Sequence, residues 1–122
     1  MDGSGSHVKL RVFAFLGGLT FSTVAGAHHA AFVHFDKDDV VEITGELVSI
    51  EWRNPHSELV VRTTDEAGSE TLWLGQERGV TLLTRKGATP DLFRVGEMIR
   101  VAGFRGRRNK TSLFVTNIML AD

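Results

Sequence analysis

The fold of this chain is decided by residues 40–52, which read VVEITGELVSIEW. Apolar residues alternate with polar ones up to Leu47 and then resume one position out of phase at Val48. Because the side chains of a strand alternate with a period of two, this slip just after Gly45 predicts a β-bulge that bends one long strand. Asn54-Pro55 then ends the strand, since proline cannot donate a hydrogen bond to the ladder.

Four more strands and one short helix are predicted after this bend. Alternation of apolar and polar residues stops at residues 79–86, and Gly87 follows as a suitable C-cap, which predicts a helix of about two turns. Glycine-containing and charged turns separate the remaining alternating runs. The predicted strands cover residues 57–64, 70–74, 98–104 and 113–120.

This order of elements is that of the OB-fold, a small, partly open Greek-key barrel. The chain has no cysteine, so a small domain must gain its stability from a closed apolar core rather than from disulfides. We therefore predict an all-β, five-stranded OB-like barrel with one short helix between strands three and four, and we place Trp73 inside it. The predicted core also contains Ile43, Ile50, Leu59, Val61, Leu72, Val101, Val115 and Ile118.

Residues 1–27 have the pattern of an export signal. Basic residues precede a short apolar run at residues 12–19, and Ala25-Gly26-Ala27 is a small-x-small cleavage pattern. The alternative is an uncleaved membrane anchor, but a spanning helix needs about 20 apolar residues and this run is about half as long. We expect cleavage after Ala27, a soluble periplasmic protein without a transmembrane span, a lead-in segment over residues 28–39 and a barrel over residues 40–122.

The charge of the chain is nearly balanced, with 14 basic and 15 acidic residues. Nucleic-acid-binding domains usually carry a clear basic excess, and here only residues 105–110 are locally basic. We therefore expect no nucleic-acid partner. The expected partner is an unknown protein or a small molecule, bound over strands two and three and the loop Asn54-Pro55-His56, as is usual for this barrel.

Motifs along the mature segment resemble a known family. The most specific are the histidine pair at the mature N-terminus and the run Glu51-Trp52-Arg53-Asn54-Pro55-His56, and weaker ones include Thr44-Gly45 and Val95-Gly96-Glu97. Together they are similar to a family of small bacterial periplasmic proteins known only as a domain of unknown function. The resemblance implies an exported OB-like domain and supplies no activity. The chain departs from the family at Ala30, where a serine is usual.

The histidines form a candidate metal site. Cleavage after Ala27 would free the α-amino group of His28, and a typical pKa of about 7.7 to 8.0 lets this group lose its proton near neutral pH. The amine and imidazole of His28, completed by His29, His56 or, as the weakest candidate, His34, would offer the nitrogen ligands that copper or another transition metal accepts. The competing interpretation is a solvated N-terminal tail, so copper is a possible cofactor and not a required one.

Candidate ligand-binding residues surround the end of the first strand. Trp52 offers a stacking surface, with packing in the core as the alternative, and Asn54 and His56 lie in the loop that follows. Glu51 is a candidate to orient the His56 ring. No catalytic motif of the nucleophile-elbow, HExxH, Walker or dinucleotide-binding kind is present, so no catalytic residue is predicted and an enzyme is the weakest of the three hypotheses, after a binding domain and a metal-binding protein.

Overall fold

A computed structural model describes residues 33–120 of the chain. The predicted export signal, its cleavage site, His28 and His29 lie outside these residues. Within residues 33–120, no helix is long and apolar enough to cross a membrane. The elements, in chain order, are β1 (Phe35–Glu51), β2 (Glu58–Thr64), β3 (Glu70–Gln76), α1 (Val80–Arg85), a single 3₁₀ turn (Pro90–Leu92), β4 (Met98–Gly106) and β5 (Ser112–Leu120).

The strands close into a barrel in the order β1-β2-β3-β5-β4, which confirms the predicted fold class. β1 pairs with β4 along its first part and with β2 along its second part, and its register against β2 shifts between Leu47 and Ser49. That shift is the bulge predicted from the change of phase. At Gly45 an added Cβ would collide with the Arg62 carbonyl oxygen, so the close approach of β2 requires glycine there. β1 begins at Phe35, earlier than the expected start of the barrel at residue 40.

The barrel interior contains most of the predicted core. Ile43, Leu59, Val61, Val101 and Val115 are buried, and Ile50 and Ile118 are partly buried against them. The sequence prediction missed four further buried side chains, which are Phe35, Leu47, Ile99 and Leu113.

The placement of Leu72 in the core is wrong, because 57% of its surface is exposed. Residues 72–74 read Leu-Trp-Leu, so alternation alone allows either face to point inward. In the sheet Trp73 pairs with the buried Val61, whereas Leu72 pairs with Arg62. Trp73 therefore packs against the core, as predicted, and the two leucines point outward.

Helix α1 ends as its sequence predicts. Gly87 has a φ of 86°, the left-handed conformation that glycine adopts without strain. The amide of Ala88 donates to the Leu83 carbonyl and the amide of Gly87 donates to the Thr84 carbonyl, which is the Schellman pattern. Residues 79 and 86 flank the helix as caps, so α1 is one residue shorter at each end than predicted.

Candidate functional site

The loop Asn54-Pro55-His56 is fastened to the start of α1. Asn54 Nδ2 donates to the Thr81 hydroxyl at 3.2 Å, and Asn54 Oδ1 accepts from the Thr81 amide at 3.4 Å. The Asn54-Pro55 peptide bond is cis. An added Cβ at Gly79 would collide with Asn54 Oδ1, so the loop approaches the helix as closely as the backbone permits. Asn54 thus supplies a remote cap for a helix that lacks a side-chain cap of its own.

Arg53 holds the charged end of β1 in place. Its guanidinium lies 2.7 Å from a carboxylate oxygen of Glu58 and 3.3 Å from one of Glu51, and its Nε donates to the His56 carbonyl oxygen. Glu51, the predicted partner of the His56 ring, therefore pairs with Arg53. Both side chains are about half exposed or more, so this pair contributes little to stability.

The ring of His56 is oriented by a backbone carbonyl. Its Nδ1 lies 3.2 Å from the carbonyl oxygen of Glu77. A carbonyl only accepts, so Nδ1 carries the proton and Nε2 keeps its lone pair in the neutral ring. Among residues 33–120, no group of three or more His, Cys, Asp or Glu side chains could hold a metal ion. His56 would need ligands from outside this range to form a metal site.

Trp52 is half-buried and packs on another ring. Its centroid lies 5.3 Å from that of Phe93, and the two ring planes meet at 65°. This edge-on contact is one of the favourable aromatic arrangements. Trp52 therefore packs against Phe93, beside the loop that ends β1.

A pocket of about 580 Å³ lies between the segment that contains α1 and the second half of β5. We call it the helix–β5 pocket. β5 pairs with β3 only through residues 112–114, so the strand beyond them has only β4 as a paired neighbour. Glu77, Arg78 and Lys86 contribute charged groups to the lining, together with Ala88 and Asn117. Its apolar lining comes mainly from Leu83, Leu92, Phe93, Phe104, Phe114 and Ile118.

Glu77 is the unusual residue of the helix–β5 pocket. It follows β3 directly, its amide donates to the Ser57 carbonyl at 2.8 Å, and only 8% of its surface is exposed. Its Oε1 is buried without a hydrogen-bond partner among the described residues. Burial raises the pKa of Glu77 to about 7, because removal from water disfavours the charged form. Perturbed carboxyls in clefts are frequent at functional sites.

The sequence prediction missed Glu77. It stands in the run Gly-Gln-Glu-Arg-Gly, where an acidic residue beyond a strand end is ordinarily solvated. No motif, spacing or periodicity marks it. The one available signal was its position between a strand and a helix that must close against the same barrel.

The basic turn at residues 105–110 is partly neutralised by the beginning of β1. Arg105 pairs with Asp39 at 3.0 Å and Arg107 with Asp36 at 3.5 Å. The guanidinium carbon of Arg105 also lies 5.6 Å from the ring centroid of Trp73, within the range of a cation–π contact. These contacts tie the turn to the barrel.

The sequence of the chain matches the model of a family of unknown function, DUF6152, over residues 18–114. The chain belongs to this family. The match confirms the resemblance to a family of unknown function that the histidine pair and the Glu-Trp-x-Asn-Pro-His run indicated. No curated protein matches the sequence.

Solved structures similar to this DUF6152 member include single-stranded DNA-binding proteins with OB-like barrels. The mitochondrial single-stranded DNA-binding protein Rim1 from S. cerevisiae superimposes with a TM-score of 0.53 at 15% identity, over 70% of this chain and 93% of that one. The protein priB from Ralstonia solanacearum gives a TM-score of 0.46 at 14% identity, over 68% and 98% of the two chains. A small single-stranded DNA-binding protein from Streptomyces coelicolor gives 0.47 at 13% identity, over 67% and 91%.

The expectation that nucleic acid is not a partner is contradicted by the similarity to Rim1. Rim1 is a single-stranded DNA-binding protein with the same barrel, so the fold does not support the exclusion. The charge argument failed because nucleic-acid binding depends on the local face of a barrel, and the balance of the whole chain does not describe that face.

Proposed function

We propose that this DUF6152 member is an exported, non-enzymatic binding domain that takes a small, mainly apolar molecule in the helix–β5 pocket. The observation that carries the proposal is the pocket itself, with its aromatic and aliphatic lining and the single buried carboxyl of Glu77. Ligand pockets typically measure about 300 to 1,000 Å³ and combine apolar walls with a few polar groups that fix orientation. The volume of about 580 Å³ lies inside that range.

The Asn54-Pro55-His56 loop supports the proposal by fixing one wall of the pocket. Asn54 holds the first turn of α1, and His56 holds the backbone of Glu77. The ring of Phe93, which lines the pocket, packs edge-on against the ring of Trp52. A wall that is held in place before binding costs less conformational entropy when a ligand enters. The loop thus contributes to binding by positioning the helix–β5 pocket.

Export rests on the signal pattern of residues 1–27. The protein recovered from the periplasm should begin at His28. Intact-mass measurement tests this directly. A mature chain that begins at Met1 would contradict export with cleavage, and it would also remove the free amine from His28.

The pocket can be tested with N-phenyl-1-naphthylamine, a neutral dye that fluoresces in apolar surroundings. We expect saturable binding at one site in the processed protein. Asn117 lies on β5, lines the pocket and is exposed, so Asn117→Phe should fill the cavity and weaken dye binding at least tenfold. Thr44→Phe, at an exposed position of β1 outside the pocket, is the matched control and should bind as the parent does. Equal binding by both variants would refute the pocket as the binding site.

A second candidate function is copper binding by His28 with His29 and His56. Two observations favour it. The His56 ring donates its Nδ1 proton to a carbonyl, which is the orientation that ligating histidines commonly have, with Nε2 available. In addition, Val33 and His34 line a second pocket with Gln76, the residue before Glu77. Five peptide steps separate His28 from Val33, and an extended chain covers up to about 17 Å over five steps.

Copper binding is tested by titrating Cu(II) into the processed protein and recording nitrogen hyperfine structure by EPR. A version with one extra residue before His28 should bind copper more weakly, because the α-amine and imidazole of His28 belong to the same chelate. His56→Asn keeps a side-chain donor for the Glu77 carbonyl and removes Nε2, so it should also weaken binding. Equal affinity for the extended and native N-termini would refute this candidate.

A further inference from the structure

We infer that Glu77 receives a nitrogen donor, so the ligand of the helix–β5 pocket is a small amphiphilic amine with one apolar body and one cationic N–H group. This inference rests on the proposed function and specifies the class of molecule that the pocket takes. It is carried by the burial and the missing partner of the Glu77 carboxyl, in a pocket whose walls are mainly apolar.

The Glu77 carboxyl lacks the partner that a buried polar group normally has. Buried side-chain polar atoms are hydrogen-bonded in the large majority of cases, and each exception asks for an explanation. Oε1 is shielded from water and accepts no hydrogen bond from the described residues. Oε1 of Glu77 is therefore an acceptor that lacks an N–H or O–H donor within residues 33–120.

The charged groups around Glu77 do not meet this need. Arg78 and Lys86 belong to the same pocket lining but are exposed, so water satisfies their charges. His56 contacts the backbone carbonyl of Glu77, and its side chain is exposed. The group in this pocket with an unmet hydrogen-bonding requirement is thus an acceptor that becomes anionic, and a cationic N–H is its strongest complement.

The apolar lining determines the rest of the molecule. Leu83, Phe93, Phe114 and Ile118 offer hydrocarbon and aromatic contact, which favours a compact aryl or alkyl body. An amphiphilic anion is the competing ligand class, because it would place its charge against Arg78 and Lys86. The two classes differ in the partner they require, so they predict opposite effects of substitution at Glu77.

The test is displacement of N-phenyl-1-naphthylamine by three probes of similar shape at pH 8, which are 2-phenylethylamine, 2-phenylethanol and 3-phenylpropionate. We expect the amine to displace the dye at a concentration at least tenfold lower than the alcohol or the acid. Glu77→Gln should remove this preference while the dye still binds. Glu66→Gln, at an exposed turn position, is the control and should keep the preference.

The pH dependence of the same displacement gives a second readout. With the pKa of Glu77 raised to about 7, the ionised fraction falls about tenfold between pH 8 and pH 6. Displacement by the amine should weaken by about that factor in the parent and stay constant in Glu77→Gln.

The possible failures are distinguishable. Equal displacement by amine and alcohol, or preferred displacement by the acid, would overturn the inference while the pocket remains a binding site. No saturable dye binding to the parent protein would overturn the proposed function itself.

Discussion

Glu77→Gln should change the pH dependence of stability in a direction that the structure fixes. Burial raises the pKa of Glu77 from 4.5 to about 7 in the folded protein. The folded state therefore holds a proton that the unfolded state has released between these two pH values. Stability must fall as pH rises through this window and become constant above it, because the folded state binds more protons there.

The size of the effect follows from the same two pKa values. One pKa unit corresponds to about 1.4 kcal/mol, so the full shift is about 3 kcal/mol, of which about 2.5 kcal/mol is lost between pH 5 and pH 8. Glutamine does not titrate, and its buried amide adds a cost of about 1 to 3 kcal/mol that is independent of pH. The absolute stability of the variant is thus less informative than its change with pH.

Urea unfolding of the parent and of Glu77→Gln at pH 5, 6, 7 and 8 measures this change. The free energy of unfolding of the variant, minus that of the parent, should rise by about 2.5 kcal/mol across the series. Glu66→Gln, at an exposed position, controls for removal of a carboxylate. A difference for Glu77→Gln that stays constant within about 0.5 kcal/mol would refute the burial of an unpartnered carboxyl.

Three further outcomes are expected. Leu47→Ala, at a fully buried position, should lower the free energy of unfolding by about 2 to 5 kcal/mol, whereas Leu72→Ala should change it by less than about 0.5 kcal/mol; equal losses would mean that β3 is out of register. Asn54→Ala should cost about 1 to 3 kcal/mol and speed hydrogen exchange at the Thr81 amide, and unchanged exchange would contradict the capping role. Periplasmic protein should have the mass of a chain that begins at His28.

The architecture was predictable because its signals are local. The bulge could be predicted from the two-residue period of a strand alone, because apolar residues change phase near Leu47. The register of β1 against β2 shifts at that point. Gly87 marked the end of the helix between β3 and β4. Its positive φ is the conformation that the C-terminal motif of a helix requires. Local patterns and the absence of cysteine left few other folds for a domain of this size.

The face of β3 was only half predictable, because Leu72, Trp73 and Leu74 are all apolar. Alternation carries no information where every residue is hydrophobic. Which side chains point into the core then depends on the pairing with the neighbouring strand. The register that joins Trp73 to Val61 decides it. Such a register is a tertiary property, since a shift by one residue exchanges the two faces.

The predicted binding loop and the helix–β5 pocket are different parts of the molecule. None of Asn54, Pro55 and His56 lines the pocket. His56 contacts the backbone of Glu77, and Asn54 uses its side-chain hydrogen bonds to hold α1. The burial of Glu77 could not be predicted from the sequence, because it results from the closure of β3, α1 and β5 around this residue. A carboxyl at a strand end has no local feature that separates a buried one from a solvated one.

The two candidate functions share one contact, and this affects how variants of His56 must be interpreted. The ring donates to the carbonyl of Glu77, the same residue whose side chain stands in the pocket. Loss of copper binding in His56→Ala would therefore be ambiguous, because it removes Nε2 and also releases the backbone at Glu77. His56→Asn separates these effects, since an asparagine amide reaches about as far as Nδ1 and can donate in its place. If dye binding survives in His56→Asn but fails in His56→Ala, the ring serves the pocket by positioning Glu77, independently of any metal.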